Sequence, residues 1–127
     1  MHPNLAQDAT PFGPFALEKN RQLAALNAKL FDIVVENTSA SDFYVQLWDV
    51  ADVGDIGGGA PVADAAPDFE DVVPAGSFLP YSWDGGYQFH RGLYVRCVTA
   101  LGGSTAIAGN SAKFSGRYLT PWPLTTA

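Results

Sequence analysis

Three aspartates, Asp49, Asp52 and Asp55, recur at every third position beside glycines, and carboxylates gathered on a loop are what a calcium ion binds. An EF-hand loop, however, places acids at alternate positions and closes on a glutamate, and this stretch does neither. It reads as a solvated acidic loop. His2 and His90 lie far apart, and no Cys/His spacing supplies the three or four ligands of a zinc site. Nucleophilic catalysis needs a hydroxyl or thiol beside a base, and no G-x-S-x-G run or comparable signature occurs. Gly57-Gly58-Gly59 is followed by no Lys-Ser/Thr pair and by no helix start that could hold a phosphate. These residues predict a protein that is not an enzyme and that uses no cofactor and no metal. What remains is aromatic: Trp48, Tyr81, Trp83, Tyr87 and Trp122. Such rings stack on sugars, with Trp83, Tyr87 and Trp122 as the candidate glycan platform, but in a small β-domain they serve more often as core or interface anchors.

The elements that must carry these side chains are strands. Residues 93–99 put Leu93, Val95, Cys97 and Thr99 on one face and Tyr94, Arg96 and Val98 on the other, the period of a central strand with one face more buried. Residues 30–37 and 42–50 alternate in the same way, and the polar run between them suggests an antiparallel hairpin. Residues 68–73 read as an edge strand blunted by charge. Residues 77–83 contain Pro80, which also argues for an edge or a bulge. Asp84-Gly85-Gly86 then reads as a tight turn into residues 87–90, and residues 105–108 and 113–119 as two last strands. Residues 51–66, rich in glycine and alanine, read as a long surface loop. Residues 16–29 hold strong helix formers with Leu23, Leu26 and Leu30 at i, i+3, i+7, so either a helix of two or three turns or a plain linker fits there.

Composition agrees with an all-β class. At 127 residues the chain is one domain, of a size that buries roughly 65–70% of its unfolded surface without disulfides or metals. Only 16% of residues are charged, against about 25% in ordinary domains. Thirteen glycines and nine prolines suit short strands and tight turns rather than a helical bundle. The expected fold is an antiparallel β-sandwich or small barrel of six to eight strands. Its expected divisions are an N-terminal arm at 1–29, a β-core at 30–119 and an extended tail at 120–127.

The net charge is −6, and from residue 30 to residue 90 there are eleven carboxylates and no Lys or Arg. Such a surface repels phosphate backbones and favours either solubility or docking on a basic protein. The lone Cys97 has no internal disulfide partner and its strand position makes it a buried thiol. No basic and apolar leader and no apolar run of about 20 residues is present, which predicts cytoplasmic synthesis and no membrane contact. The arm, MHPNLAQDATPFGPF, carries three prolines together with Leu5, Phe12 and Phe15. These apolar groups either fold back on the domain or insert into a neighbour. Phe12, Phe15, Leu23 and Leu26, with Trp122 in the tail, are the candidate partner contacts.

Two stretches carry a resemblance. Val35-Glu36-Asn37-Thr38-Ser39-Ala40-Ser41-Asp42-Phe43-Tyr44-Val45-Gln46-Leu47-Trp48-Asp49 precedes the turn Pro74-Ala75-Gly76, and Gly86-Tyr87-Gln88-Phe89-His90-Arg91-Gly92-Leu93-Tyr94-Val95 follows it. Over residues 30–119 the chain resembles small β-sandwich virion proteins of tailed bacteriophages, of the decoration and tail-accessory type. Where that pattern continues into a Ser/Thr-rich stretch, this chain has Arg96-Cys97-Val98-Thr99-Ala100. The resemblance implies a virion component made in the host cytoplasm, without catalytic residues, oligomeric in the particle and in contact with the major capsid protein or other virion proteins. A capsid decoration or cement protein is the first expectation. A tail or neck accessory, a receptor-binding protein and a carbohydrate-binding module are the alternatives.

Overall fold

A computed structural model describes residues 9–51, 67–103, 105–109 and 111–121. Eight strands account for the regular structure: β1 (Thr10–Phe12), β2 (Asn20–Ala24), β3 (Ala28–Asn37), β4 (Phe43–Trp48), β5 (Phe69–Val73), β6 (Phe78–Phe89), β7 (Leu93–Val98) and β8 (Ala112–Leu119). They form two four-stranded antiparallel sheets, in the orders β1-β8-β3-β6 and β2-β7-β4-β5. The first strand pairs with the last, the second with the seventh, the third with the sixth and the fourth with the fifth. Rolling that long hairpin up adds the pairs β3–β8 and β4–β7. This is the eight-stranded jelly roll, a β-sandwich in which the first strand closes on the last.

The alternation seen in the sequence decides what goes inside. Leu30, Ile33 and Val35 of β3 meet Phe43, Val45 and Leu47 of β4, Leu93, Val95 and Cys97 of β7, and Phe114 of β8 in one dry core. β7 lies between β2 and β4, a central strand as its pattern predicts, but both of its faces are buried rather than one. On the second face the connection from β7 to β8 reaches over Gln46 and Glu70, where Gly103 O accepts from Gln46 Nε2 and Gly102 N donates to Glu70 Oε2, and it then pairs beside β7. Thr99 N bonds Thr105 O, Ile107 N bonds Cys97 O, and Ala106 bridges to Val98.

Several local expectations give way to tertiary pairing. Residues 16–29 form no helix: Asn20–Ala24 is strand β2, paired to β7 from Asn20↔Arg96 to Ala24↔Leu93. Leu23 is half-buried, Leu26 is 58% exposed and Leu30 is fully buried, so the three leucines share no face. Pairing to a neighbouring strand outweighs intrinsic propensity here. Nor do β3 and β4 form a hairpin, since they lie in opposite sheets. Asp84-Gly85-Gly86 is not a turn between two strands but part of a wide bulge within β6. Leu30 pairs with Tyr87 and Asp32 with Ser82, so Trp83 to Gly86 stand opposite Phe31 alone. Gly85 and Gly86 take φ of +80° and +87°, a region that favours glycine and lets the strand swell there. Of residues 105–108 only Ala106 pairs. The edge positions expected for residues 68–73 and for the Pro80 strand are those of β5 and β6.

The crossing from β3 to β4 is held by Asn37, which is 1% exposed. Its Nδ2 donates to Ser41 O and Val73 O, both at 2.9 Å, and its Oδ1 accepts from Ser39 N at 2.9 Å and Ser39 Oγ at 2.7 Å. Asn37→Ala strips these bonds and leaves the buried Val73 carbonyl bare, which costs roughly 2–3 kcal/mol. Urea unfolding should show a lower midpoint with an unchanged slope.

Candidate interaction surfaces

Asp49, first of the three spaced acids, is an anchor for the turn between β6 and β7. Its carboxylate accepts the backbone N–H of His90 at 3.0 Å, Arg91 at 2.7 Å and Gly92 at 3.3 Å. Asp52, Asp55, His2 and the Gly57–Gly59 run lie outside the described residues. Among the described residues no three His, Cys, Asp or Glu side chains gather as a metal would require, and no helix is long and apolar enough to cross a membrane. His90 is exposed on its turn.

The aromatic candidates separate into two places. Trp48 is buried on the outer face of the second sheet, where its Nε1 donates to Gln46 Oε1 at 3.1 Å. The same oxygen accepts from Arg96 Nε at 3.0 Å and Nη2 at 2.9 Å, with the guanidinium 5.2 Å from the Trp48 ring. Gln46 Nε2 in turn donates to Glu70 Oε2 at 2.7 Å. Burial pulls the Arg96 guanidinium down from its usual range, while Tyr94 and Glu70 oppose the shift. Trp83 and Tyr87 instead belong to a row at the open side between β5 and β6. Phe69 meets Tyr81 at 4.9 Å and Trp83 at 5.5 Å, Trp83 meets Tyr87 at 6.0 Å, and Tyr87 meets Phe89 at 5.1 Å. Tyr81 donates to Asp71 Oδ2 at 3.0 Å, and burial together with that bond raises its phenol.

The candidate partner contacts of the arm are placed differently. Phe12 is only 7% exposed, stacked on Phe15 at 6.3 Å and edge-on to Tyr118 at 5.2 Å. Gly116 makes room for it, since a Cβ there would meet Phe12 Cζ at 2.7 Å and also the Asp32 carbonyl. Phe15 is half-buried under Arg21, whose guanidinium sits 3.7 Å from the ring and pairs with Glu18. From Ala9 onward, therefore, the arm is folded on its own domain. Leu26 is the most exposed of the described candidates, on the turn between β2 and β3. Trp122 lies outside the described residues.

Charge divides between the two open sides of the sandwich. Residues 68–89, spanning β5 and β6, themselves hold Asp68, Glu70, Asp71 and Asp84 and no Lys or Arg, while Lys29 of β3 lies over Gly86 and Arg91 stands near Asp68. The β1, β2 and β8 side holds Lys19, Arg21, Lys113 and Arg117 against the single acid Glu18. One ion pair links β8 to β3 across the outer face of the first sheet. Arg117 donates from Nε at 2.9 Å and Nη2 at 2.7 Å to Asp32 Oδ2. Nothing in the local pattern marked Ser82 as a site residue, and Asp84 stood out only as part of a turn. A signal existed for Asp32, whose charge interrupts an apolar strand; none existed for Arg117, which lies 85 positions away.

No family model matches this chain, and neither does any curated protein. Among solved structures it is similar to the coat protein of tobacco streak virus, at 13% identity and a TM-score of 0.40, over 94% of this chain and 88% of that one. That likeness is too distant to carry a function across.

Two measurements follow from the environments of single groups. Asp68 is exposed as a residue, yet its carboxyl is partly desolvated, and that burial with the nearby Asp49 carboxylate raises it above its ordinary 3.8. The folded state thus holds this proton more tightly than the unfolded state does. The stability it lends is present below pH 3.8 and is lost as pH rises through the raised folded value. Asp68→Asn should melt slightly higher than the parent at pH 7, with the advantage gone below pH 3.8. Cys97 is fully buried and burial raises its thiol strongly. It should react with an aromatic disulfide reagent only at the rate of unfolding, and immediately in denaturant.

Proposed function

We propose that the protein is a non-enzymatic virion structural protein of the tailed-bacteriophage kind, a capsid decoration protein that docks through the side between β5 and β6. The observation that carries this reading is that side itself: a half-buried row of Phe69, Tyr81, Trp83 and Tyr87, with Asp68, Asp71 and Asp84 on the strands that carry it. Aromatic anchors within a charged rim are the make-up of a protein interface. The sign of the rim selects a basic partner surface, here on the major capsid protein. The resemblance over residues 30–119 points the same way. The jelly roll hosts capsid and lectin domains alike, so it adds only an analogy of fold. Of the two contact elements expected for decoration, the acidic surface is kept and Phe12 is set aside. Lending that ring to a neighbour would mean peeling β1 from β8.

The test is co-sedimentation of the full chain with empty capsids, and separately with tails, of the encoding phage. Co-migration with capsids at a fixed lattice stoichiometry is expected. It should weaken with salt, because exposed charges are screened beyond about 10 Å at 0.1 M. Asp68→Lys/Asp84→Lys should lose at least tenfold in affinity. Binding to tails alone would move the protein to the neck or tail, and a monomer that ignores both particles would sink the virion reading.

A further inference from the structure

The bulge in β6 opens a groove on the outer face of the first sheet, and we propose that this groove binds a neutral saccharide. It encloses about 410 Å³ and is lined by Trp83, Asp32, Arg117, Ser82 and Asp84 over a floor that includes Phe31. Its volume falls within the range of roughly 300–1,000 Å³ usual for small-molecule sites. It shares Trp83 and Asp84 with the docking side, but docking needs none of its Asp32, Ser82 or Arg117 side chains, so Arg117→Ala separates the two.

Each wall is held in place before any ligand arrives. Trp83 is half-buried against the core and braced by Phe69 at 5.5 Å and 85° and by Tyr87 at 6.0 Å and 61°. Arg117 and Asp32 are locked to each other by two bonds on one carboxylate oxygen. Two charge-assisted bonds converging on one oxygen hold the guanidinium beside the carboxylate. Phe31 is 4% exposed, so the floor is apolar and packed. The rim at Gly85 is open, with no atom within 4 Å of where a Cβ would stand. Little ordering is left to oppose binding.

The chemistry of the lining selects the ligand class. An aromatic ring beside paired donors and acceptors matches a pyranose, which offers an apolar C–H face and vicinal hydroxyls. A purely apolar ligand would strip water from Asp32, Asp84 and Arg117 without replacing its hydrogen bonds. Two carboxylates face one guanidinium, so the groove is net negative and disfavours phosphorylated or carboxylated sugars.

The experiment uses the full chain on an array of neutral and acidic glycans, followed by titration of the strongest neutral hit with tryptophan fluorescence as readout. We expect saturable binding to a neutral glycan, weakened at least tenfold in Trp83→Ala and in Arg117→Ala and unchanged in Lys113→Ala, on the same strand but outside the groove. Arg117 is exposed, so its variant should keep the parent's circular dichroism and remain informative should Trp83→Ala unfold. No neutral hit, a preference for acidic glycans, or a hit unaffected by Arg117→Ala would each overturn the proposal.

Discussion

Asn37 stands where the chain must leave one sheet and enter the other, and the rest of the sandwich depends on that crossing. β3 carries ten residues, pairs on both sides with β6 and β8, and supplies Leu30, Ile33 and Val35 to the core. A polar run at its end could close a hairpin and keep the next strand in the same sheet. It does not, because the Asn37 amide is committed on both of its polar atoms to the corner and to the Val73 carbonyl of the opposite sheet. The backbone joins in: Asn37 N bonds Ser77 O and Thr38 N bonds Ser111 O. One buried amide and two backbone bonds thus tie the β3–β4 corner to three other stretches of chain. Every other connection except β4–β5 also crosses between sheets.

Burial on the outer face of the second sheet follows from the same economy of chain. Gln46, Trp48, Tyr94, Arg96 and Val98 point away from the core and are still buried. A cation there is costly unless its donors are met. Gln46 supplies an acceptor to both Arg96 and Trp48, then passes the network to Glu70. Glu70 Oε2 also accepts from Gly102 N at 2.9 Å, and Gly103 O accepts from Gln46 Nε2 at 3.1 Å. The buried polar set therefore fixes where the covering connection sits, a job that apolar contacts, being non-directional, would do less sharply.

The two open sides of the sandwich are not equivalent. Between β1 and β2 the gap is closed by Phe12, Phe15 and Arg21, with cations around them. Between β5 and β6 it is closed by larger aromatics, Phe69, Tyr81 and Trp83, beside the β6 bulge. Pro80 and the charges of the short β5 blunt these edges against pairing with another strand. Side chains rather than exposed backbone are left to make contacts there.

Alternation along LFDIVVEN, FYVQLW and LYVRCV was enough to read an all-β sandwich, its core strands and the central place of β7, because a period of two needs only the local pleat. The edge positions of β5 and β6 were legible too, from charge and from Pro80. The aromatic candidates Trp83 and Tyr87 were visible as types, while their separation from Trp48 was not. Three things waited on the tertiary structure. Residues 20–24 became a strand because β7 offered an edge to pair with, which their helix-forming composition could not announce. Phe12 became a core residue because Gly116 made room for it from the far end of the chain. Asp32, Ser82, Trp83 and Arg117 met in one groove because β3 lies between β6 and β8. Local pattern fixes which face a residue takes, whereas strand order, set by contacts between distant residues, fixes what it faces.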